Sequence, residues 1–577
     1  MQFDPVRIEI YWAQLISAVN DAATVLLRTS FSGMLRDCRD FACSLFDARG
    51  HLLVQDQLGT PGLSGPTPGA MRHFLAAYPP SEFSPGDVMI TNDPWKVSGH
   101  LADTTVLTPL HEHGELLGFA MCVAHQLDIG GRGVTIESRD VHEEGLWLPI
   151  LKLYRRGQLN DDLMAIIRHN VRMPEMVVGD IQAQIASNDI AGRGLRRLAN
   201  DIGIDTLPQL SDEIANRTEA ATRAAVERIP DGDYGSELLI DGQTNREGRV
   251  SDSLRLRVTI RVRGSSLIVD FAGTSPQVPV AINACLNGLT MAYVLMGLKC
   301  VLDPELPMNE GFLRPITLIA PEGCLVNPRY PAPVQARQQV AHFMVEVILN
   351  ALAIAMPDRV IAGCGSVPAW NQQFEGVGRA GRAFNHFFPL RGGLGAGPDR
   401  DGTSCLSFPT NVATLPVELL EADVPILVER KEMLPDSAGP GRFRGGLGQE
   451  VIVSVSDGEL TTGGPVLLSC QGGRFDFGVP GLHGGRPAPR GEVHYNGKAV
   501  RSGAQWVLKP GDRVVYKVPG GGGFYDPFTR DPYRVLADVQ AGLVTVEAAR
   551  RDYGVVITAA GKFDDEATEC LRKDAAR

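Results

Sequence analysis

A chain of 577 residues is long enough for roughly four domains, and its 44% hydrophobic and 21% charged residues are the composition of a globular protein with sizeable buried cores. The formal net charge of -12 argues against nucleic acid as a partner, because gripping a phosphate backbone needs a basic face. No stretch reaches the ~18 uninterrupted apolar residues of a membrane span, and Met1 leads directly into an amphipathic pattern with no basic region followed by an apolar one. The sequence therefore predicts no membrane association, no secretion and a cytoplasmic home.

Asp4-Pro5 reads as an N-cap followed by proline in a first helical turn. The apolar spacing from Ile8 through Trp12, Leu15 and Val19 to Leu26 continues it as a core-facing helix. Asp40 to Phe46 reads as a strand, with a turn at Asp47–Gly50 into a second strand over His51 to Gln55, and Val88 to Thr91 as another. Two apolar runs between Val106 and Val123 flank His111-Glu-His-Gly114 and predict a hairpin whose tip exposes both histidines. Residues 161–200 look helical, 235–275 alternate as antiparallel sheet, and Gly288–Val301 and Val340–Ala355 read as helices.

From about 430 the chain is rich in glycine and short strands, and two short helices follow Gly520–Gly523, around Pro532 and around Val546 to Asp552. The expected fold is mixed α/β (α+β) and multidomain, with antiparallel sheets and a glycine-rich β-segment toward the C-terminus. The regions run 1–230, 231–430 and 431–527, with a helical tail at 528–577. The glycine run is not read as a phosphate loop, because no Lys-Ser/Thr follows it. No Gly-x-Ser-x-Gly elbow marks a serine hydrolase. The ten cysteines, scattered from Cys38 to Cys570 without any Cys-x-x-Cys, read as small buried hydrophobes of a reducing compartment.

Eight of the twelve histidines lie between His51 and His169. Within that stretch, Asn92-Asp-Pro-Trp-Lys-Val-Ser-Gly-His100-Leu-Ala-Asp103 and His125-Gln-Leu-Asp128-Ile-Gly-Gly131 each set an aspartate three residues after a histidine. Imidazole with carboxylate is the ligand set of a borderline-to-hard divalent ion such as Zn, Mn or Fe(II). A lone His-x-x-Asp is more often a turn or a surface hydrogen-bonded pair. Two of them, both at strand-to-loop junctions, strengthen the case for a metal, but spacing alone leaves both readings open. The Gly-Gly after the second lets backbone approach closely. Glu143-Glu144-Gly145 either adds a carboxylate or is an ordinary loop.

At these residues the chain resembles the hydantoinase B / oxoprolinase family. The ordered matches run from Arg39-Asp-Phe-Ala-Cys-Ser-Leu-Phe-Asp47 through Pro85-Gly-Asp-Val88, Asn92-Asp-Pro94, His100-Leu-Ala-Asp103 and His125-x-x-Asp-Ile-Gly-Gly131. They continue through Leu434-Pro-Asp-Ser437 and Gly441-Arg-Phe-Arg-Gly-Gly-Leu-Gly448 to Pro519-Gly-Gly-Gly-Gly-Phe-Tyr-Asp-Pro527 and on to Tyr553-Gly554. The resemblance implies a metal held by His100, Asp103 and His125, with a further carboxylate from Asp40 or from Asp37, where family members usually carry Glu. Asp128 would serve as general base or as the partner that orients His125.

The resemblance also implies a division of labour in a hetero-oligomer. ATP is bound by an A-type subunit, which phosphorylates the small-molecule substrate, and a B-type subunit like this chain completes the reaction at the metal. In one branch that is hydrolysis of a cyclic amide (a lactam or hydantoin-type ring). In the other it is ketone carboxylation with bicarbonate, as in acetone and acetophenone carboxylases. Oxoprolinase-like members carry His-x-Pro-x-His-x-Gly where this chain has Leu58-Gly-Thr-Pro-Gly-Leu-Ser64, so oxoproline and plain hydantoin are not the expected substrates.

Overall fold

Asp4 accepts a hydrogen bond from the Val6 amide and Pro5 takes the first turn, so the leading helix forms as the sequence predicts, over Pro5–Thr29. By length and composition it could cross a membrane; here its Ile8, Trp12, Leu15 and Val19 face lies in a protein core. The computed structural model describes residues 4–245, 248–378, 381, 383–455, 465–501, 503 and 505–575. They form two compact units, each discontinuous in the chain. The first takes Met1–Glu237, Leu256–Ala351 and Thr410–Leu415; the second takes Leu238–Arg255, Leu352–Pro409 and Pro416–Arg577.

The first unit is built on a seven-stranded antiparallel sheet. Its strands are β1 (Phe41–Asp47), β2 (Leu52–Gln55), β3 (Val88–Thr91), β4 (Asp103–Glu112), β5 (Glu115–His125), β6 (Leu151–Arg155) and β7 (Gln158–Leu159), in the order β2-β1-β5-β4-β3-β6-β7. All seven residues of β1 are buried, because both faces of the sheet are covered. Leu45 and Ala120 pack with the helices Pro5–Thr29 and Pro174–Ile202, whereas Phe46 and Phe119 pack with Met71 and Phe74 of the helix Thr67–Ala77. Each fully buried phenylalanine there contributes roughly 1.5–3 kcal/mol. On the helix Pro174–Ile202, the buried Gln184 amide donates to Thr104 O (2.9 Å) and Cys122 O (3.1 Å), and Asn188 donates to Val106 O (3.0 Å). These bonds fix the helix over β4 and β5 and satisfy polar groups that burial would otherwise penalise.

The predicted 235–275 sheet exists, as Gly232–Ile240, Leu254–Arg263 and Ser266–Asp270. It gains a strand not read from sequence, Ile316–Ile319, which pairs in parallel with Ser266–Asp270. The helix Leu207–Val226 was likewise not expected. The predicted helix at 288–301 begins as a wider turn at Leu286–Thr290 and continues as Met291–Leu302. A side chain on Gly288 would lie 2.7 Å from the Gly99 Cα, so glycine is what lets this turn touch the loop before His100.

The second unit holds a four-stranded and a five-stranded antiparallel sheet, with helices Pro532–Gln540 and Val546–Tyr553 where the sequence placed them. Its glycines pack backbone on backbone. Gly520 to Gly523 donate their amides to the carbonyls of Ser437, Gly446, Gly363 and Arg486 at 2.9–3.0 Å. A Cβ on Gly521, Gly522 or Gly523 would fall 2.0, 1.9 or 2.0 Å from the carbonyl oxygens of Leu394, Pro480 and Pro440. The run is the centre of a glycine core, and its N–H groups are spent on protein.

Candidate metal centre

Sheet register brings the site together. β1 and β5 pair Phe41 with Ala124, and the His125 amide donates to Asp40 O (3.1 Å), so Asp40 stands beside His125 at the end of the two strands. β4 and β5 pair Asp103 with His125. Directly opposed residues share a face of an antiparallel pair, so one end of three neighbouring strands carries Asp40, His125 and Asp103 in a row. Arg39, in the left-handed region at φ 60°, turns the chain into β1 immediately before Asp40.

The fourth residue arrives on a stapled loop. Asn92 is buried; its amide donates to Leu101 O (2.7 Å) and Leu146 O (2.8 Å), and its oxygen accepts from the Leu148 amide (2.7 Å). That fixes the Asn92–Asp103 segment and drives His100 inward. His100 Nε2 sits 2.8 Å from Asp103 Oδ1, and His125 Nδ1 lies 3.0 Å from the same oxygen and 3.9 Å from Asp40 Oδ2. One ligand atom from each of His100, Asp103 and His125 can be chosen so that all lie within 4.8 Å of one another.

The protonation pattern fits a cation. His100 Nδ1 lies 3.0 Å from the Gln335 carbonyl, which can only accept, so Nδ1 carries the proton. Burial, with help from Arg337, pushes the His100 imidazole down to about 4, so it is neutral near pH 7 and Nε2 is a bare lone pair. That lone pair is buried, lacks an aligned hydrogen bond, and faces a carboxylate oxygen. Two acceptors 2.8 Å apart repel each other unless a cation lies beside them and within reach of both.

Burial raises the Asp103 carboxyl, but the Arg337 guanidinium and the bond with His125 outweigh it and hold it below the usual carboxylate range. His125 is lowered by burial and raised more strongly by its bond to Asp103 and by Asp40, so its net shift is upward.

Arg337 is the residue that sequence reading missed. Its guanidinium contacts Asp103 Oδ2 and donates from Nε to Ser98 O (3.0 Å), leaving Asp103 Oδ1 for the histidines. No local motif surrounds it, so nothing short of the fold reveals it.

The other expected residues are placed differently. Asp37 pairs with its neighbour Arg36 at 2.9 Å, whereas Asp40 faces His125. Asp128 accepts from the amides of Gly130 (2.8 Å), Arg172 and Met173 (3.0 Å) and pairs with the Arg172 guanidinium (3.1 Å), while His125 turns to Asp103. It ties the loop after β5 to the start of the helix Pro174–Ile202. Gly131, at φ 60°, lets that loop press on the backbone of Glu144, where a Cβ would lie 2.5 Å away. His113 is exposed at the hairpin tip as expected, but His111, expected to be exposed with it, is half-buried.

Comparison with known proteins identifies the family and the fold. The chain is 32% identical, over 99% of its length and 98% of the other, to a protein of Pseudomonas sp. (strain NS671) provisionally named as the B component of a D-/L-hydantoinase. It is 29% identical to the caprolactamase beta chain of Pseudomonas jessenii, over 99% of each chain. The crystal structure of the ATP-dependent caprolactamase of Pseudomonas jessenii superposes with a TM-score of 0.90 at 26% identity, covering 99% of this chain and 100% of that one. Residues 4–527 match the family described as Hydantoinase B/oxoprolinase, and with that span the chain belongs to it.

Proposed function

We propose that this chain is the metal-dependent B-type subunit of an ATP-dependent cyclic-amide hydrolase. ATP is bound by a partner A-type subunit, which phosphorylates the amide oxygen of a lactam or hydantoin-type ring, and this chain completes the hydrolysis. The observation that carries the reading is the bare His100 Nε2 facing Asp103 beside His125 and Asp40. It is supported by similarity along the whole chain to a caprolactamase beta chain.

We assign His100, Asp103, His125 and Asp40 as the residues that hold a divalent ion, Zn or Mn before Fe(II). Such an ion supplies Lewis-acid stabilisation of negative charge developing on oxygen. The chain's own groups prepare the site. Gln335 fixes the His100 tautomer, and Arg337 fixes and balances Asp103. With a divalent ion present, Asp40 then leaves a single net positive charge, suited to an anionic phosphorylated substrate.

Side-chain exposure rises from 0% at Asp103 and 4% at His100 to 13% at His125 and 18% at Asp40, so substrate approaches from the Asp40 side. The Leu58–Ser64 segment borders that side, with the Thr60 amide on Phe41 O (2.8 Å). The two histidines of oxoprolinase-like members are absent there, which favours a less polar ring. Asp128, fully engaged by its four donors, serves as a structural tie. The ten scattered cysteines, with no Cys-x-x-Cys among them, suit the reducing, ATP-containing cytoplasm, where we place the complex.

Co-expression with an A-type subunit tests this reading. The complex is expected to open a lactam or hydantoin ring with stoichiometric ATP consumption and incorporation of oxygen from labelled water, and this chain alone to turn over no ATP. ATP hydrolysis by the isolated chain would remove the division of labour. Stoichiometric labelled bicarbonate in the product would replace the hydrolase by a ketone carboxylase.

The choice of carboxylate is tested separately by metal titration. Asp40→Ala is expected to weaken Mn2+ binding by more than about tenfold, and Asp37→Ala to leave it within about twofold. The reverse order would assign the ligand to Asp37.

A further inference from the structure

Glu144 lies outside the group of candidate ligands, yet its side chain is buried and bonded toward them. Its Oε1 accepts two successive backbone amides, from Val334 (2.6 Å) and Gln335 (2.8 Å). Gln335 then presents its own carbonyl to His100 Nδ1 at 3.0 Å. The path from Glu144 to His100 is therefore two hydrogen bonds joined by one residue's backbone. The same segment continues into Arg337, whose amide donates to Val334 O (3.1 Å) and whose guanidinium holds Asp103.

Glu144 is itself braced. Its backbone lies against Gly131 in the loop after His125, and the Glu144 amide donates to Val141 O (3.2 Å) while the Val141 amide donates to Pro331 O (3.0 Å). The second oxygen, Oε2, is buried without a hydrogen-bond partner. A carboxyl buried with an oxygen unpartnered carries a desolvation cost that an apolar filler would avoid. Burial pushes this carboxyl up to about 8 against the pull of the two amides and Arg337, so it is mostly neutral near pH 7 and glutamine is its close isostere.

We propose that Glu144 is a positioning residue of the metal centre. By gripping the Val334 and Gln335 amides it holds the Gln335 carbonyl against His100 Nδ1, and so keeps His100 in the tautomer whose Nε2 faces Asp103. This inference rests on the metal reading given above, because its purpose is to present a ligand. Groups that orient a ligating histidine through its second nitrogen govern metal affinity strongly without touching the ion.

The test uses the full chain with Mn2+ alone, without partner or substrate. Glu144→Ala is expected to raise the Mn2+ dissociation constant about ten- to hundredfold, and Glu144→Gln, which keeps the accepting oxygen, to stay within about threefold. In metal-free, 15N-histidine-labelled wild type, the His100 resonance (identified by its loss in His100→Ala) is expected to show the Nδ1-protonated tautomer. Glu144→Gln should retain that signature and Glu144→Ala should lose it.

Unchanged Mn2+ affinity in Glu144→Ala, equal losses in the Ala and Gln variants, or an Nε2-protonated His100 in wild type would each overturn the proposal. Wild type that binds no Mn2+ would instead overturn the metal reading. If Glu144→Ala fails to fold, the wild-type tautomer and the Mn2+ affinity of Glu144→Gln still keep the proposal open to refutation.

Discussion

His100→Ala, purified with its A-type partner, is expected to retain no stoichiometric divalent metal and less than about one-hundredth of wild-type turnover. Loss of a ligand should exceed the ten- to hundredfold cost of losing an outer partner. The geometry explains the size of the effect. His100 is the one histidine whose proton is committed to a carbonyl and whose other nitrogen is directed at Asp103. No neighbour can replace it, since Arg337 cannot act as a ligand while protonated. The truncation also leaves the Gln335 carbonyl without its donor, costing roughly 1–3 kcal/mol, so the variant is read alongside its melting temperature. His113→Ala, at a side chain 74% exposed on the hairpin tip, is the matched control and should leave metal and turnover unchanged. Full activity of His100→Ala in the complex would end the metal assignment.

Gly521→Ala carries the second large effect, on stability rather than chemistry. The added Cβ would lie 2.0 Å from the Leu394 carbonyl oxygen, which itself accepts the Gly446 amide at 2.8 Å. Yielding would break that bond and push Leu394 into further backbone, because the nearest atoms to the new Cβ are all backbone and no flexible side-chain end can give way. A loss of about 4 kcal/mol or more is expected, the range reserved for severe core lesions, read as loss of soluble protein or a large drop in melting temperature. Gly69→Ala is the counterpart. It lies in the helix Thr67–Ala77, its Cβ would meet nothing closer than 3.8 Å, and it should stabilise by roughly 0.5–1 kcal/mol. Equal effects of the two substitutions would show that the glycine core tolerates side chains.

What was legible in the sequence was local. The hairpin of β4 and β5 follows from two apolar runs around a Gly turn, and both His-x-x-Asp segments sit where it ends. Three of the four residues that meet come from within those segments, and Asp40 announces itself at the start of β1. Arg337 and Gln335 reach the site from 234 and 235 residues away, and no periodicity or spacing records such a contact. Asp128 shares its spacing with Asp103, but the spacing could not show that its oxygens are taken by the start of a helix. The helix Thr67–Ala77 was not read from the sequence; Pro68 and Gly69 are poor helix formers, although proline is tolerated in a first turn. The family pattern marked Gly520–Gly523 as a motif; only the fold shows that the motif is packing.

That packing also sets an order of assembly. The glycine core draws its layers from around 363, 394, 439–446 and 480–486, and Gly520–Gly523, last of these in the chain, threads between them. Glycine loses more conformational freedom on ordering than any other residue, and contacts this distant in sequence close slowly. The second unit therefore stays open at its centre until that final segment is available, with unpaired backbone exposed on the segments that await it. During synthesis on the ribosome, this is the stage at which the nascent chain is most open to mispairing with another copy and most in need of a chaperone.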